Sequence, residues 1–385
     1  MKERTGSELF AFDFEDPIAF RKAVYYHFRP IPLPERFQDA TGGIGQFIPE
    51  KGYLELTDDT GMTAHYTVAP DFVAEMLPRL LAGGRKSYRA WRETLYWQAR
   101  NSGFQSAQAV MVGTVDLMML DILAQRRGLP LHRFLGAEKD WAAAYKGGGS
   151  ILKEDQALAE EMARYVSEGF TTVKFKVGSG QGKDMDRDLR RLRLVRETVG
   201  DAIGIAVDAN QRWSVEEAAR FAHLTEPFRI EWFEEPIHSH DYGGVQRLKE
   251  QITQRLAFGE SMRTYYAYVP YAEKGAAVLQ PSLGRMSRID DLLRIRDLCH
   301  DNGLEFQSGG RTAYNATFGC LYGENERIEF HAPISEPVHA YMTGVPEFRD
   351  GKCYVRSDVP GIAVRMNLEK IEKDGYMDSM KVFYA

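Results

Sequence analysis

The chain is poor in cysteine, in long apolar runs and in excess positive charge, and each shortage excludes something. Cys299, Cys320 and Cys353 are an odd, scattered set without metal-ligand spacing. They argue against a disulfide scaffold or a zinc cluster and are read as reduced thiols of a cytoplasmic protein. No stretch reaches the roughly 18 apolar residues needed to cross a bilayer, so no membrane partner is expected. The opening MKERTGSELF has no apolar signal core, and nothing in it is expected to direct export. Lys and Arg number 49 against 55 Asp and Glu, a net charge of −6. Such a balance argues against nucleic acid, whose phosphates call for a basic surface. There is no low-complexity tract.

What is present reads as an ordinary globular protein, 44% hydrophobic and 27% charged over 385 residues. That length holds a barrel of roughly 250 residues plus a second domain. Residues 1–138 look like an α+β unit. The strand-like AVYYHF leads into a Pro- and Gly-rich stretch, FRPIPLPERFQDATGGIGQF, expected to be irregular. YLELTDDTGMTAHYTV carries a hairpin signal around Asp59–Gly61. DFVAEMLPRLLAG is a helix capped by Asp71 and bent by Pro78, and SAQAVMVGTVDLMMLDILAQRRG is apolar nearly all round, hence buried. From about residue 139 to 361 the rhythm becomes strand then helix, with short β-rich runs at AAYKG, TTVKFKV, IGIAVDA, RIEWFEE, RLAFGES, AAVLQPS, GLEFQS and RIEFH. Seven or eight such units predict a (β/α) barrel of the TIM type. The tail, from about 362 to 385, is expected to return to the first domain.

Asp208 in AVDAN, Glu234 in EWFEEP and Glu260 in AFGES stand 26 residues apart, one strand–helix unit each time. Carboxylates on consecutive strand ends of a parallel barrel converge on one mouth, where they can hold a hard divalent cation such as Mg²⁺. Glu231 and Glu235 flank the middle one, but alternation lets only one of Glu234 and Glu235 face the mouth. Asn210 could orient a ligand or bind through its amide oxygen. One unit upstream, Lys174 and Lys176 are two apart on a strand and point to the same side. Two ammoniums beside a cation disfavour each other's charge, which would lower a lysine pKa toward that of a general base. A substrate carboxylate beside the cation would have a more acidic α-proton. His132, His223 and His300 read as surface groups, while His238 and His240 follow EEPI near the mouth. The glycines at 147–149 permit either close approach of a substrate or a tight turn.

Together VKFKVG, VDANQRW, EWFEEPI, FGES, LQPS and PGIAV resemble the enolase superfamily, more narrowly its mandelate racemase-like subgroup. VDLMMLDILAQRRGLPLHRFLG is similar to the last helix and turn of that family's capping domain. The resemblance spans nearly the whole chain. It implies an N-terminal α+β cap over the barrel, Mg²⁺ held by Asp208, Glu234 and Glu260, and Lys176 as the acid/base. It further implies that Lys174 contacts the substrate carboxylate and that Glu329 hydrogen-bonds it from strand eight. A specificity loop is implied near residues 28–48, with His27, Arg29 and Gln46 as candidate substrate-reading groups, and by family analogy a homo-oligomer.

One departure matters. The subgroup's Asp after Gln-Pro is Ser282 here, and its strand-seven His is replaced by Gly309 or Gly310, so the usual His–Asp base is missing. Arg311 and Tyr314 stand near the vacated slot, with Arg311 also suited to a distal carboxylate or hydroxyl. The expected reaction is therefore dehydration of an acid sugar, an aldonate or aldarate, to a 2-keto-3-deoxy acid. Alternatives are a racemase or epimerase with a substitute base, a lactone cycloisomerase, and a non-catalytic acid-binding protein.

Overall fold

The computed structural model describes residues 12–385, so the charged opening segment lies outside the described residues. Eight short strands, Trp141–Gly148, Thr172–Lys176, Gly204–Asp208, Phe233–Glu234, Leu256–Phe258, Val278–Leu279, Glu305–Ser308 and Arg327–His331, each pair in parallel with the next. Strand eight pairs with strand one, Glu329 opposite Tyr145 and His331 opposite Gly147, which closes the barrel. A helix follows every strand, from Asp155–Ser167 after the first to Ala332–His339 after the eighth. Their apolar stripes cover the outside of the strands, as a TIM-type barrel requires. Inside, Tyr145, Ala206, Trp232, Ala257 and Val278 pack into a plug, so the interior is filled below the mouth.

The N-terminal part forms a second layer. Its antiparallel sheet runs in the order Met377–Tyr384, Phe20–Phe28, Gly52–Asp58, Thr63–Thr67, so the last strand of the chain pairs with the first long one. The segment just before the tail stays with the barrel: Lys352–Tyr354 pairs with Glu347–Arg349 and with barrel strand one. The Asp59–Gly61 turn joins two paired strands, with Asp58 Oδ1 accepting from the amides of Thr60 and Met62.

Three local expectations change. The stretch expected to be irregular holds a hairpin, Pro32–Gln38 against Ile44–Phe47, whose register shifts between Pro32 and Phe37 because prolines tolerate only an edge or bulged ladder. The Pro78 segment is two helices, Pro70–Glu75 and Leu77–Ala82. The first is preceded by Ala69 without a side-chain cap, and Asp71 sits in its first turn. His132 is buried rather than superficial, its imidazole 2.7 Å from Asp140.

Contrary to the expectation that no stretch is long and apolar enough to cross a bilayer, helix Ala107–Arg126 is so by length and composition, yet 72% of its apolar window is buried inside the protein. Its inward carboxylates explain why it stays there. Asp116 accepts from Tyr88 Oη at 2.7 Å and from the amide of Ile289 at 2.8 Å, and Asp121 accepts from the amide of Ile362 at 2.7 Å. These bonds tie the cap's main helix to the barrel and to the returning tail.

Candidate active site

Strand register gathers the charged residues. Lys176 is level with Asp208, and Asp208 with Glu234, so strands two, three and four deliver their last side chains to one level of the mouth. Lys176, Asn210, Glu234, Glu260, Arg311, Tyr314 and Glu329 all line one cavity of about 410 Å³ between the barrel mouth and the cap. Asp208 and Lys174 lie directly beneath it, with side chains essentially inaccessible.

Inside this group the ammoniums bridge the carboxylates. Lys176 Nζ is 2.5 Å from Asp208 Oδ2, and Lys174 Nζ is 2.5 Å from Glu234 Oε1 and 2.9 Å from Glu329 Oε1. Glu234 Oε2 accepts from the Trp232 indole and the Gln280 amide, both at 3.0 Å. Burial alone would lower the Lys176 pKa. Asp208, with Glu260 and Glu234 behind it, outweighs burial and the Lys174 charge, so the pKa stands above the ordinary lysine value. This corrects the expectation of a depressed lysine, which counted the neighbour along the strand but not the carboxylates of adjacent strands. Burial, with repulsion from Asp208 and Glu329, pushes Glu234 up to about 8 despite Lys174. Burial and Asp208 also raise Glu260.

These side chains fit a divalent cation in charge. Four carboxyl groups (Asp208, Glu234, Glu260, Glu329) face two ammoniums, so acid outnumbers base in this site, and the raised Glu234 and Glu260 register that excess. The side-chain oxygen of Asn210, buried and without a hydrogen-bond partner, is a further donor there. With the lysines lying across Asp208 and Glu234, no three carboxylate, imidazole or thiol groups among the described residues are gathered at ligand distances.

Glu235 answers the question of alternation. It turns out of the strand with φ 37° and accepts from Ser239 Oγ at 2.6 Å and Gln211 Nε2 at 2.8 Å, away from the cavity. Glu231 lies at the opposite end of the barrel, 2.6 Å from Arg327.

Residues 157–371 match the family described as enolase C-terminal domain-like. The chain belongs to the enolase superfamily. It is 27% identical over 352 residues to the 3,6-anhydro-alpha-L-galactonate cycloisomerase of Streptomyces coelicolor, covering 89% of this chain and 95% of that one. It is 31% identical over 276 residues to the L-talarate/galactarate dehydratase of Salmonella typhimurium, covering 71% and 67%. A crystal structure of a Streptomyces coelicolor A3(2) racemase with bound magnesium superimposes with a TM-score of 0.79 at 24% identity, covering 94% of this chain and 99% of that one. It supports the fold.

Within this superfamily frame, the end of strand seven is closed to a histidine at one of the two glycines. A Cβ on Gly310, where φ is +75°, would stand 2.2 Å from Ser282 Oγ. Gly147, the strand-one neighbour of His331, is needed bare for another reason: a Cβ there would stand 2.7 Å from Glu329 Oε1.

His331 also lines the cavity, two residues beyond Glu329 on the same face of strand eight. Its ring packs edge-on against Phe37 of the cap at 4.8 Å. Burial and the two lysines hold its pKa near 4 against the pull of Glu329. Sequence reasoning passed over it, although period-two alternation from Glu329 was enough to find it. Asp39, Glu50 and Ser282 line the cavity as well. The cap candidates His27 and Arg29 do not. Both lie at the cap surface beside Asp378, at 3.0 and 3.6 Å, because the strand carrying His27 pairs with the C-terminal strand. Gln46 is exposed on the hairpin, and His238 and His240 are exposed outside the cavity.

Proposed function

We propose that this protein is an enzyme that removes the α-proton of a small carboxylate substrate and then expels the β-hydroxyl. The substrate is an acid sugar, and the product a 2-keto-3-deoxy acid. The observation that carries the reading is the buried strand-end cluster, richer in carboxyls than in ammoniums, with Lys176 at its edge, facing a cavity of sugar-acid size.

Asp208, Glu234 and Glu260 would hold Mg²⁺, with the side-chain oxygen of Asn210 beside them. Bound there, it would supply positive charge that acidifies the α-proton and stabilises the enediolate. Lys176 Nζ takes the α-proton once Asp208 is engaged elsewhere and no longer holds the ammonium, then returns it to the departing β-hydroxyl, which leaves as water; the enol so formed tautomerises to the 2-keto-3-deoxy acid. Lys174 and Glu329 form a pair that fixes the substrate carboxylate, the ammonium donating and the glutamate ordering it. The Trp232 and Gln280 bonds hold Glu234 in place.

Elimination is favoured over racemisation by the bare end of strand seven. A racemase needs proton carriers on both faces of the α-carbon, and the position that would carry the second is glycine. The same half-reaction also serves a lactone cycloisomerase, and the similarity to the Streptomyces cycloisomerase over most of the chain supports keeping that reading. A mass-spectrometric screen of sugar acids and lactones in D₂O with Mg²⁺ separates these. Water loss giving a 2-keto acid supports the dehydratase. Ring opening without water loss makes it a cycloisomerase, and α-deuterium in recovered substrate without dehydration makes it an epimerase. Turnover that persists in Lys176→Ala would sink the assignment of the base.

A further inference from the structure

The cavity has a second polar pole, away from Lys176 and built where cap meets barrel. Arg311 opens the helix Thr312–Gly319 in a left-handed backbone conformation, φ 45° and ψ 58°. For a non-glycine residue this conformation is strained and persists only where the surroundings hold it. Here they do: the guanidinium lies 5.1 Å over the Tyr66 ring, donates to Thr67 Oγ1, and reaches Glu50 Oε1 at 3.4 Å. Glu50 is 7% exposed, and its second oxygen has no hydrogen-bond partner among the described residues. The hydroxyl of Tyr314, 1% exposed, likewise has none. Buried polar atoms without partners are costly, and at a cavity wall they mark where a ligand completes the bonds.

We propose that Glu50, Arg311 and Tyr314 form the subsite for the far end of the substrate, and that it takes hydroxyl groups rather than a second carboxylate. Resting on the acid-sugar reading above, this narrows the substrate to a polyhydroxylated monoacid, the aldonate class. The charge count decides it. Arg311 alone would suit a distal carboxylate, but Glu50 already balances it, so the pole offers no net positive charge. A distal carboxylate would meet the unpaired Glu50 oxygen, where like-charge contact repels the wrong ligand. A hydroxyl can donate to that oxygen and accept from Arg311 or Tyr314, satisfying all three groups. Arg285, the exposed arginine on the cavity rim, acts on Glu260 at the other pole.

The test compares hexonates with the hexarates of matching configuration, with Mg²⁺ present, for the wild type, Glu50→Gln and Tyr314→Phe. Wild type is expected to favour the hexonate by at least about 100-fold in kcat/KM. Glu50→Gln removes the negative charge but keeps the shape, and should shift that ratio toward hexarates by at least about tenfold. Tyr314→Phe should raise KM for hexonates and leave kcat nearly unchanged. The same pairs are titrated calorimetrically, so discrimination is read even if no turnover occurs. Tighter hexonate binding that Glu50→Gln weakens supports the subsite even where the dehydratase reading fails. A wild-type preference for hexarates, a ratio that Glu50→Gln leaves unchanged, or binding of neither class would overturn it.

Discussion

The two ends of the barrel are built from the same strands and treat buried charge in opposite ways. At the floor, Arg327 on strand eight reaches Glu231 at 2.6 Å, Glu305 at 2.9 Å and Thr172 Oγ1 at 2.7 Å, and Arg255 adds a 2.7 Å contact to Glu305. Two arginines meet two glutamates, and the charges cancel. At the mouth, four carboxylates meet two lysines and do not cancel. A balanced network is a structural clamp, whereas an unbalanced one carries repulsion that a bound proton or an added cation relieves. This matches the division of labour in such barrels, stability at the N-terminal face and chemistry at the C-terminal one.

Substitutions at each end should separate the two roles. The largest effect is expected from Lys176→Ala, which should cut kcat/KM by about 10³-fold or more; without Mg²⁺ it also strands the buried Asp208 and lowers the melting temperature, a loss that saturating Mg²⁺ should largely restore. Turnover assays and thermal unfolding on the same preparation check it. Arg327→Met should do the reverse. It strands Glu231 while Glu305 keeps Arg255, and since both glutamates are partly exposed the loss should be about 2 kcal/mol, seen as a lower denaturation midpoint with kcat near wild type.

A smaller effect is expected from a buried group in the cap that neither cluster touches. Burial, with Arg365 nearby, lowers the His65 pKa from 6.5 to about 3. The unfolded chain therefore binds a proton that the folded one refuses between those values, so stability falls as pH drops below about 6.5. His65→Gln should flatten that limb, recovering about 1–2 kcal/mol at pH 5 relative to pH 7, as measured by urea unfolding at the two pH values. An unchanged pH slope would show that other groups dominate.

The barrel and the convergence of its strand-end carboxylates were legible because parallel strands force both a repeat length and a shared exit level. Asp208, Glu234 and Glu260 follow from that alone. Charge states were not legible: the lysines' partners lie on neighbouring strands, and a strand's own sequence does not reveal what register places beside it. Glu50 and Asp39 carry no periodic signal, since they reach the cavity only by the way the cap folds over the mouth. His27 and Arg29 failed for the converse reason. A stretch rich in proline and glycine reads as a loop, and the pairing of its flanking strand with Met377–Tyr384, some 350 residues away, turns those side chains to the outer surface beside Asp378.

Calorimetric titration with Mg²⁺ of the wild type, Glu234→Gln and Arg327→Met tests the contrast between the two ends most directly. The account predicts one ion per chain in the wild type and in the floor variant, and none in the mouth variant. Binding that survives in Glu234→Gln, or is absent from the wild type, would contradict it.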